Sequence, residues 1–141
     1  MIARLLAGML LAGSSGLVHA QDFRSVAQAA ILYDAPSAQA ARRFVIARLT
    51  PVEVVLTVEG WAKVRDSDGD LAWIERRALS DKRTVMVLPE RAEARARPDA
   101  EAPVVFAAER SVVLDLLESA DAGWVKIRHR DGSTVFIRVT Q

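Results

Sequence analysis

Cysteine is absent from this chain, tyrosine occurs once and histidine twice. Without cysteine there are no disulfides, no Cys-ligated zinc, no iron–sulfur cluster and no thiol nucleophile. Of the two histidines only His129 lies beyond the first twenty residues. A nucleophile–His–acid triad therefore has a single imidazole available, and no nucleophile motif or paired-acid spacing accompanies it. No catalytic residue, metal site or cofactor is expected. Charge of one sign is also missing: nineteen Lys and Arg face eighteen Asp and Glu. Nucleic-acid binding needs a clustered basic face, so that class is not expected either. What is present, 26% charged and 51% hydrophobic residues over 141 positions, suits one ordinary domain or two very small ones.

The first twenty residues differ from the rest. Arg4 precedes an apolar run over residues 5–12, then a Gly/Ser stretch over 13–16, then Val18-His19-Ala20 before Gln21. This is the three-part order of a secretory signal peptide. A membrane-spanning helix needs about twenty strongly apolar residues, and here Gly, Ser and His interrupt the run. Cleavage after Ala20 removes only Arg4 among the charged residues, leaving eighteen of each sign. The expected destination lies across the inner membrane, in the periplasm, with no membrane attachment after cleavage.

The remainder is a repeat. Trp61-Ala62-Lys63-Val64-Arg65-Asp66-Ser67-Asp68-Gly69-Asp70-Leu71-Ala72-Trp73-Ile74 returns 63 residues later as Trp124-Val125-Lys126-Ile127-Arg128-His129-Arg130-Asp131-Gly132-Ser133-Thr134-Val135-Phe136-Ile137, with six of fourteen positions identical. Upstream, Pro36 and Pro98, Phe44 and Phe106, and residues 52–55 and 114–117 match at an offset of 62. The extra residue falls before Gly60 and Gly123, where a turn tolerates it. The expected division is 1–20 signal peptide, 23–80 first domain and 85–141 second domain. Gln141 aligns with Ala78, so no residue of the second copy corresponds to Leu79, which would help close the first barrel.

Each copy reads as short strands with turns at close spacing. Residues 52–58 and 114–118 are apolar β runs, and residues 61–65 and 124–128 alternate apolar with charged side chains. The alternation is read with Trp and Val or Ile on one side and Lys and Arg on the other. Asp68-Gly69 and Asp131-Gly132 are residues preferred where a hairpin turn needs positive φ. Helical periodicity is sustained nowhere; residues 37–43 are the best candidate and read as a loop with one turn. Val85-Met86-Val87-Leu88, between the copies, reads as a strand without a flexible tether, so the two units should sit side by side. The fold class is all-β, two tandem small barrels.

The Ala30–Pro36 start, the Gly-Trp-x-Lys-Val-Arg strand, the Asp-Gly turn and the apolar-Trp-Ile strand, duplicated in order, resemble bacterial SH3-like domains, and in particular the exported two-copy SH3 proteins of proteobacteria. That resemblance implies five-stranded barrels used for binding or targeting, with no catalysis and no cofactor. It also implies the cell envelope as the setting, where some such domains recognise wall peptides. Tyr33 and Trp61 match positions that line the peptide groove of eukaryotic SH3 domains. The Pro and Tyr that complete that groove are missing, since Ile74 is followed by Glu75-Arg76-Arg77, so proline-rich ligands are not expected. In the second copy Arg95 stands where the first has Tyr33, which favours the first copy as the binding one.

Three residue groups have competing readings. Asp66, Asp68, Gly69, Asp70 and Glu75 occupy calcium-loop spacings, but the first ligand position would be Val64 and the flanks are strands, so an acidic hairpin turn is the expectation. Trp73 and Trp124 are read as core aromatics of disulfide-free barrels, while Trp61 is open between core and ligand. Arg42-Arg43 and Arg76-Arg77 are read as solvated charge. The expected ligand residues are Tyr33, Asp34 and Trp61, and the expected function is an exported, non-enzymatic envelope protein that binds peptide, with peptidoglycan stems as the candidate partner. The alternative is a structural adaptor docking onto another periplasmic protein.

Overall fold

The computed structural model describes residues 21–119, 121–129 and 131–139. The expected signal peptide, residues 1–20, and the last two residues of the second unit lie outside them. Thirteen strands and two short 3-10 turns form two antiparallel sheets. The first runs β1 (Asp22–Val26), β2 (Ala30–Tyr33), β3 (Arg42–Ile46), β4 (Pro51–Val58), β5 (Trp61–Arg65), β6 (Leu71–Glu75) and, after a 3-10 turn at Arg76–Ala78, β7 (Leu79–Ser80). The second holds β8 (Thr84–Met86), β9 (Arg91–Arg95), β10 (Val104–Glu109), β11 (Val113–Ser119), β12 (Trp124–Arg128) and β13 (Thr134–Arg138). Residues 37–41 form a loop, and no described helix is long and apolar enough to cross a membrane.

The two sheets share one plan. A frame of five neighbours, β2-β6-β5-β4-β1, carries β3 and the two-residue β7 at its edges; β9-β13-β12-β11-β8 carries β10. Within the first sheet, residues from β1 through β6 converge on one cluster: Val26, Leu32, Ile46, Val52, Ala62, Val64, Ala72 and Ile74, with Ala78. Strands at both ends of a sheet can reach one core only if the sheet curls on itself, which makes this a small barrel. The second core is Ala94, Val125, Ile127, Val135 and Ile137.

The duplication extends to backbone detail. Gly69 and Gly132 have φ of 88° and 84°, as the Asp-Gly turns require, and Leu49 and Ser111, both non-Gly, share φ of 70°. The Asp66 amide donates to the Asp70 carbonyl at 3.0 Å, and the His129 amide to the Ser133 carbonyl at 2.8 Å. These loops run to five residues, and among the described ones only the glycine is left-handed, so they are longer than a two-residue hairpin turn. Ala122, at the one-residue insertion, also takes a left-handed φ of 60°.

The expected facing of the tryptophans is corrected by the pleat. Side chains alternate with period two, so Trp61 and Val64, three apart, cannot share a face. Ala62 and Val64 point inward while Trp61, Lys63 and Arg65 point outward; on β6, Ala72 and Ile74 point inward and Trp73 outward. None of the three indoles belongs to a core cluster. Trp124 is buried, but on the outer face, where the Arg138 guanidinium lies 5.8 Å from its ring centroid. These cores are aliphatic, with alanines where a tightly curled sheet leaves little room.

The barrels touch through the segment that joins them. Thr84, buried at the start of β8, donates its hydroxyl to the Leu49 carbonyl at 2.7 Å. Arg24 pairs with Asp81 at 2.6 Å, Lys82 with Asp115 at 3.2 Å, and the Arg83 guanidinium lies 5.3 Å from the Phe23 centroid.

Candidate functional site

The outward face of the first barrel is laid out by register. Tyr33 pairs with Trp73, Lys63 also pairs with Trp73, and Trp61 pairs with Glu75, so these five side chains share one face of β2, β6 and β5. Tyr33 and Trp61 meet edge to face with centroids 5.4 Å apart and an interplanar angle of 87°. That geometry sets the positive ring edge against the negative face of its neighbour. The Lys63 ammonium lies 5.9 Å from the Trp73 centroid, within cation–π range.

Beyond the Tyr33–Trp73 pair, β2 and β6 part. A cleft of about 220 Å³ opens between them, lined by residues 28–31, Tyr33, Glu75, Arg77 and Ala78. Its floor is aliphatic and its rim carries the Glu75–Arg77 ion pair. Of the three sequence-derived residues, Tyr33 forms the wall, Trp61 braces it, and Asp34 turns to Arg43 at 3.3 Å. Arg43 also donates to the Leu71 carbonyl at 2.9 Å, so it fastens β3 across to β6. Gln28, Glu75 and Arg77 were not among the expected site residues. Glu75 and Arg77 stand in a charge run that looks solvated in sequence; the register of β6 sets Glu75 beside the cleft, and the 3-10 turn at Arg76–Ala78 brings Arg77 back to it.

At the equivalent place in the second barrel the strands stay paired one step further. Phe136 pairs with Arg95, repeating the Trp73–Tyr33 pair, and Ile137 then pairs with Ala94, one step beyond where the first barrel parts. Arg95 folds back onto its own loop, bonding the Ala102 carbonyl at 2.7 Å and Glu93 at 2.6 Å. Arg138, in the place of Glu75, covers Trp124.

The acidic turns are internally committed. The Asp66 carboxylate accepts the amides of Asp68 and Asp70, both at 2.9 Å, which is the structural use of a residue in the calcium-like spacing. In the second copy the turn-tying carboxylate is Asp131. It accepts the Ser133 amide at 2.8 Å and the Ser133 hydroxyl, and His129 Nδ1 stands 3.1 Å from the same oxygen. The hydroxyl bond, then the amide bond, then His129 hold its pKa at about 2, below the ordinary 3.8. A depressed carboxylate stabilises the fold above its unfolded pKa and loses that contribution as pH falls through the folded value. Asp131 should therefore titrate near 2 in a carboxyl NMR titration, and its stabilisation should fade between about pH 4 and pH 2. Asp131→Asn should remove that part of the acid dependence; an ordinary midpoint near 4 would contradict the geometry.

Comparison with known proteins places this geometry. A search of curated proteins gives no match. Among solved structures, NlpC2 from Trichomonas vaginalis is 15% identical with a TM-score of 0.41, the match covering 84% of this chain and 46% of that one. NlpC1 from the same organism is 17% identical with a TM-score of 0.41, over 95% and 49%. An NlpC/P60 family protein from Bacillus cereus is 15% identical with a TM-score of 0.39, over 82% and 54%. The chain thus spans about half the length of these proteins. The family model described as the bacterial SH3 domain matches twice, over residues 26–81 and 89–140, one match on each sheet. The chain belongs to the bacterial SH3 domain family and carries that domain in tandem.

Proposed function

We propose that this protein is an exported, non-enzymatic binding module of the cell envelope, and that its first barrel holds an extended peptide, with the peptide stems of peptidoglycan as the candidate ligand. The observation that carries the reading is the parting of β2 and β6 beside Tyr33, which the second barrel lacks. A cleft with an aliphatic floor, one tyrosine wall and a carboxylate–guanidinium rim can take an apolar side chain and bond a peptide's amides and charged ends. The signal-peptide order of residues 1–20 in the sequence supports the setting. Sedimentation with purified sacculi tests it. Tyr33→Ala/Trp61→Ala should lower the pelleted fraction at least tenfold, while Arg95→Ala should leave it unchanged; equal pelleting of the Tyr33/Trp61 variant and wild type would overturn the reading.

A second reading, an adaptor that docks onto another periplasmic protein, is supported by a separate apolar cleft of about 250 Å³ in the second barrel, lined chiefly by Val85, Val87, Leu88, Leu114, Ile137 and Val139.

A further inference from the structure

Register shows what the parting of β2 and β6 leaves open. Main-chain groups of an antiparallel strand point to its two neighbours alternately. On β2, the Asp34 amide donates to the Ala41 carbonyl at 3.0 Å, on the β3 side, so Tyr33 and Ile31 turn their main-chain groups toward β6. On β6, the Arg76 amide donates to the Gly60 carbonyl at 3.0 Å, on the β5 side, so Trp73 and Glu75 turn theirs toward β2. Tyr33 and Trp73 pair, and the next rung would be the Glu75 amide on the Ile31 carbonyl. That rung would set Leu32 opposite Ile74, a pair absent from the ladder. The second barrel makes its counterpart: Ile137 lies opposite Ala94, the pairing in which the Arg138 amide meets the Glu93 carbonyl.

In the first barrel this donor and this acceptor face the cleft of about 220 Å³ instead of each other. Ala29, Ala30 and Ala78 line it beside Tyr33, an apolar bed that suits a small aliphatic side chain. Its volume lies below the roughly 300–1,000 Å³ of ordinary ligand pockets, which limits the occupant to a short piece. Arg77 stands at the rim, its side chain 84% exposed and its Nε 2.5 Å from Glu75 Oε2. Among the described residues its two terminal nitrogens make no bond. A main-chain amide and a guanidinium thus converge beside one main-chain acceptor.

We propose that the cleft takes the carboxylate end of a peptide whose last side chain is small. The amide of that last residue donates to the Ile31 carbonyl, its carboxylate accepts the Glu75 amide and the terminal nitrogens of Arg77, and its side chain rests on the three alanines. The inference rests on the peptide-binding reading of the first barrel and adds which part of the peptide is held. A residue in the middle of a chain offers one carbonyl oxygen, which a single donor satisfies. A terminal carboxylate offers two oxygens and a charge, matching an amide plus a guanidinium. Arg77 then bridges two carboxylates, with Nε on Glu75 and its terminal nitrogens on the ligand. The second barrel, whose Arg138 amide is held in its own ladder, has no such use.

The test titrates the purified, isotope-labelled full chain with acetyl-Ala-Ala-Ala carrying a free carboxylate and follows amide and guanidinium NMR signals. Saturable shifts are expected at the Glu75 amide and the Arg77 guanidinium, with slower hydrogen exchange of the Glu75 amide, while the Arg138 amide stays unmoved. The same tripeptide with a carboxamide end should bind about tenfold more weakly, the loss expected when a charge-assisted bond is removed. Arg77→Gln, at an exposed side chain, should erase that difference and leave the melt unchanged. Equal affinity of the two peptides for the unsubstituted chain would overturn the proposal, as would shifts that miss Glu75 or a preference that persists in Arg77→Gln. The sacculus experiment fails separately. Pelleting that needs Tyr33 and Trp61 but not Arg77 would keep the first barrel as a peptide binder and overturn only the carboxylate-end assignment. Pelleting indifferent to Tyr33 and Trp61, with the carboxylate preference intact in the titration, would overturn the sacculus reading and keep the assignment.

Discussion

Ile74→Ala is expected to lower the unfolding free energy by about 2–4 kcal/mol, the usual cost of emptying a fully buried aliphatic site. Trp73→Ala, one residue away, should cost only on the order of 1 kcal/mol, mostly from the lost Lys63 contact and part-buried ring area. The order is the reverse of what side-chain size suggests. Ile74 is completely buried at the meeting of all six main strands, while Trp73 lies half-buried on the outer face. Domains of this size have stabilities of roughly 5 kcal/mol, so the Ile74 variant should approach unfolding of the first barrel at ambient temperature. Urea titration followed by far-UV circular dichroism decides between them, and a larger loss for Trp73→Ala would mean that the indole, not the aliphatic cluster, holds the barrel. Ile127→Ala should repeat the effect in the second barrel, where Ile127 is likewise fully buried.

That comparison shows where the sequence could be read and where it could not. The duplication was legible because it needs only an alignment of the chain with itself, and the left-handed glycines at 69 and 132 followed from the chemistry of Asp-Gly turns. The matching left-handed Leu49 and Ser111 were not legible, since neither residue type advertises that conformation. The indoles misled for a related reason. Size and hydrophobicity argue for the interior, but the interior of a barrel this narrow is set by Ala62 and Ala72, and register then forces Trp61 and Trp73 outward. Trp124 is the compromise: outward by register, then buried by Arg138. The candidate site divides the same way. Tyr33 and Trp61 could be placed together from the resemblance, and they do meet. The cleft itself depends on a ladder pair that the first barrel lacks and the second makes, Ile137 with Ala94. No single residue encodes that difference, which arises from how far two strands stay zipped.

Thr84→Val is expected to loosen the coupling of the two barrels. The hydroxyl is buried and donates to the carbonyl of Leu49, in the left-handed turn between β3 and β4 of the other barrel. Valine keeps the shape and removes the donor, so the loss should be about 1–2 kcal/mol, the range for a buried acceptor deprived of its partner. The remaining links are weaker individually. Arg24–Asp81 and Lys82–Asp115 are exposed ion pairs, each worth no more than about 1 kcal/mol. The Arg83–Phe23 contact is of similar size, about 0.5–1 kcal/mol. With Thr84 intact, a calorimetric melt should be a single transition whose van't Hoff and calorimetric enthalpies agree. In Thr84→Val the calorimetric enthalpy should exceed the van't Hoff value as the barrels begin to melt separately, and Lys82→Ala should not produce that split. A single unshifted transition in Thr84→Val would assign the coupling to the apolar crease around Phe23, Pro51, Met86 and Leu88 instead.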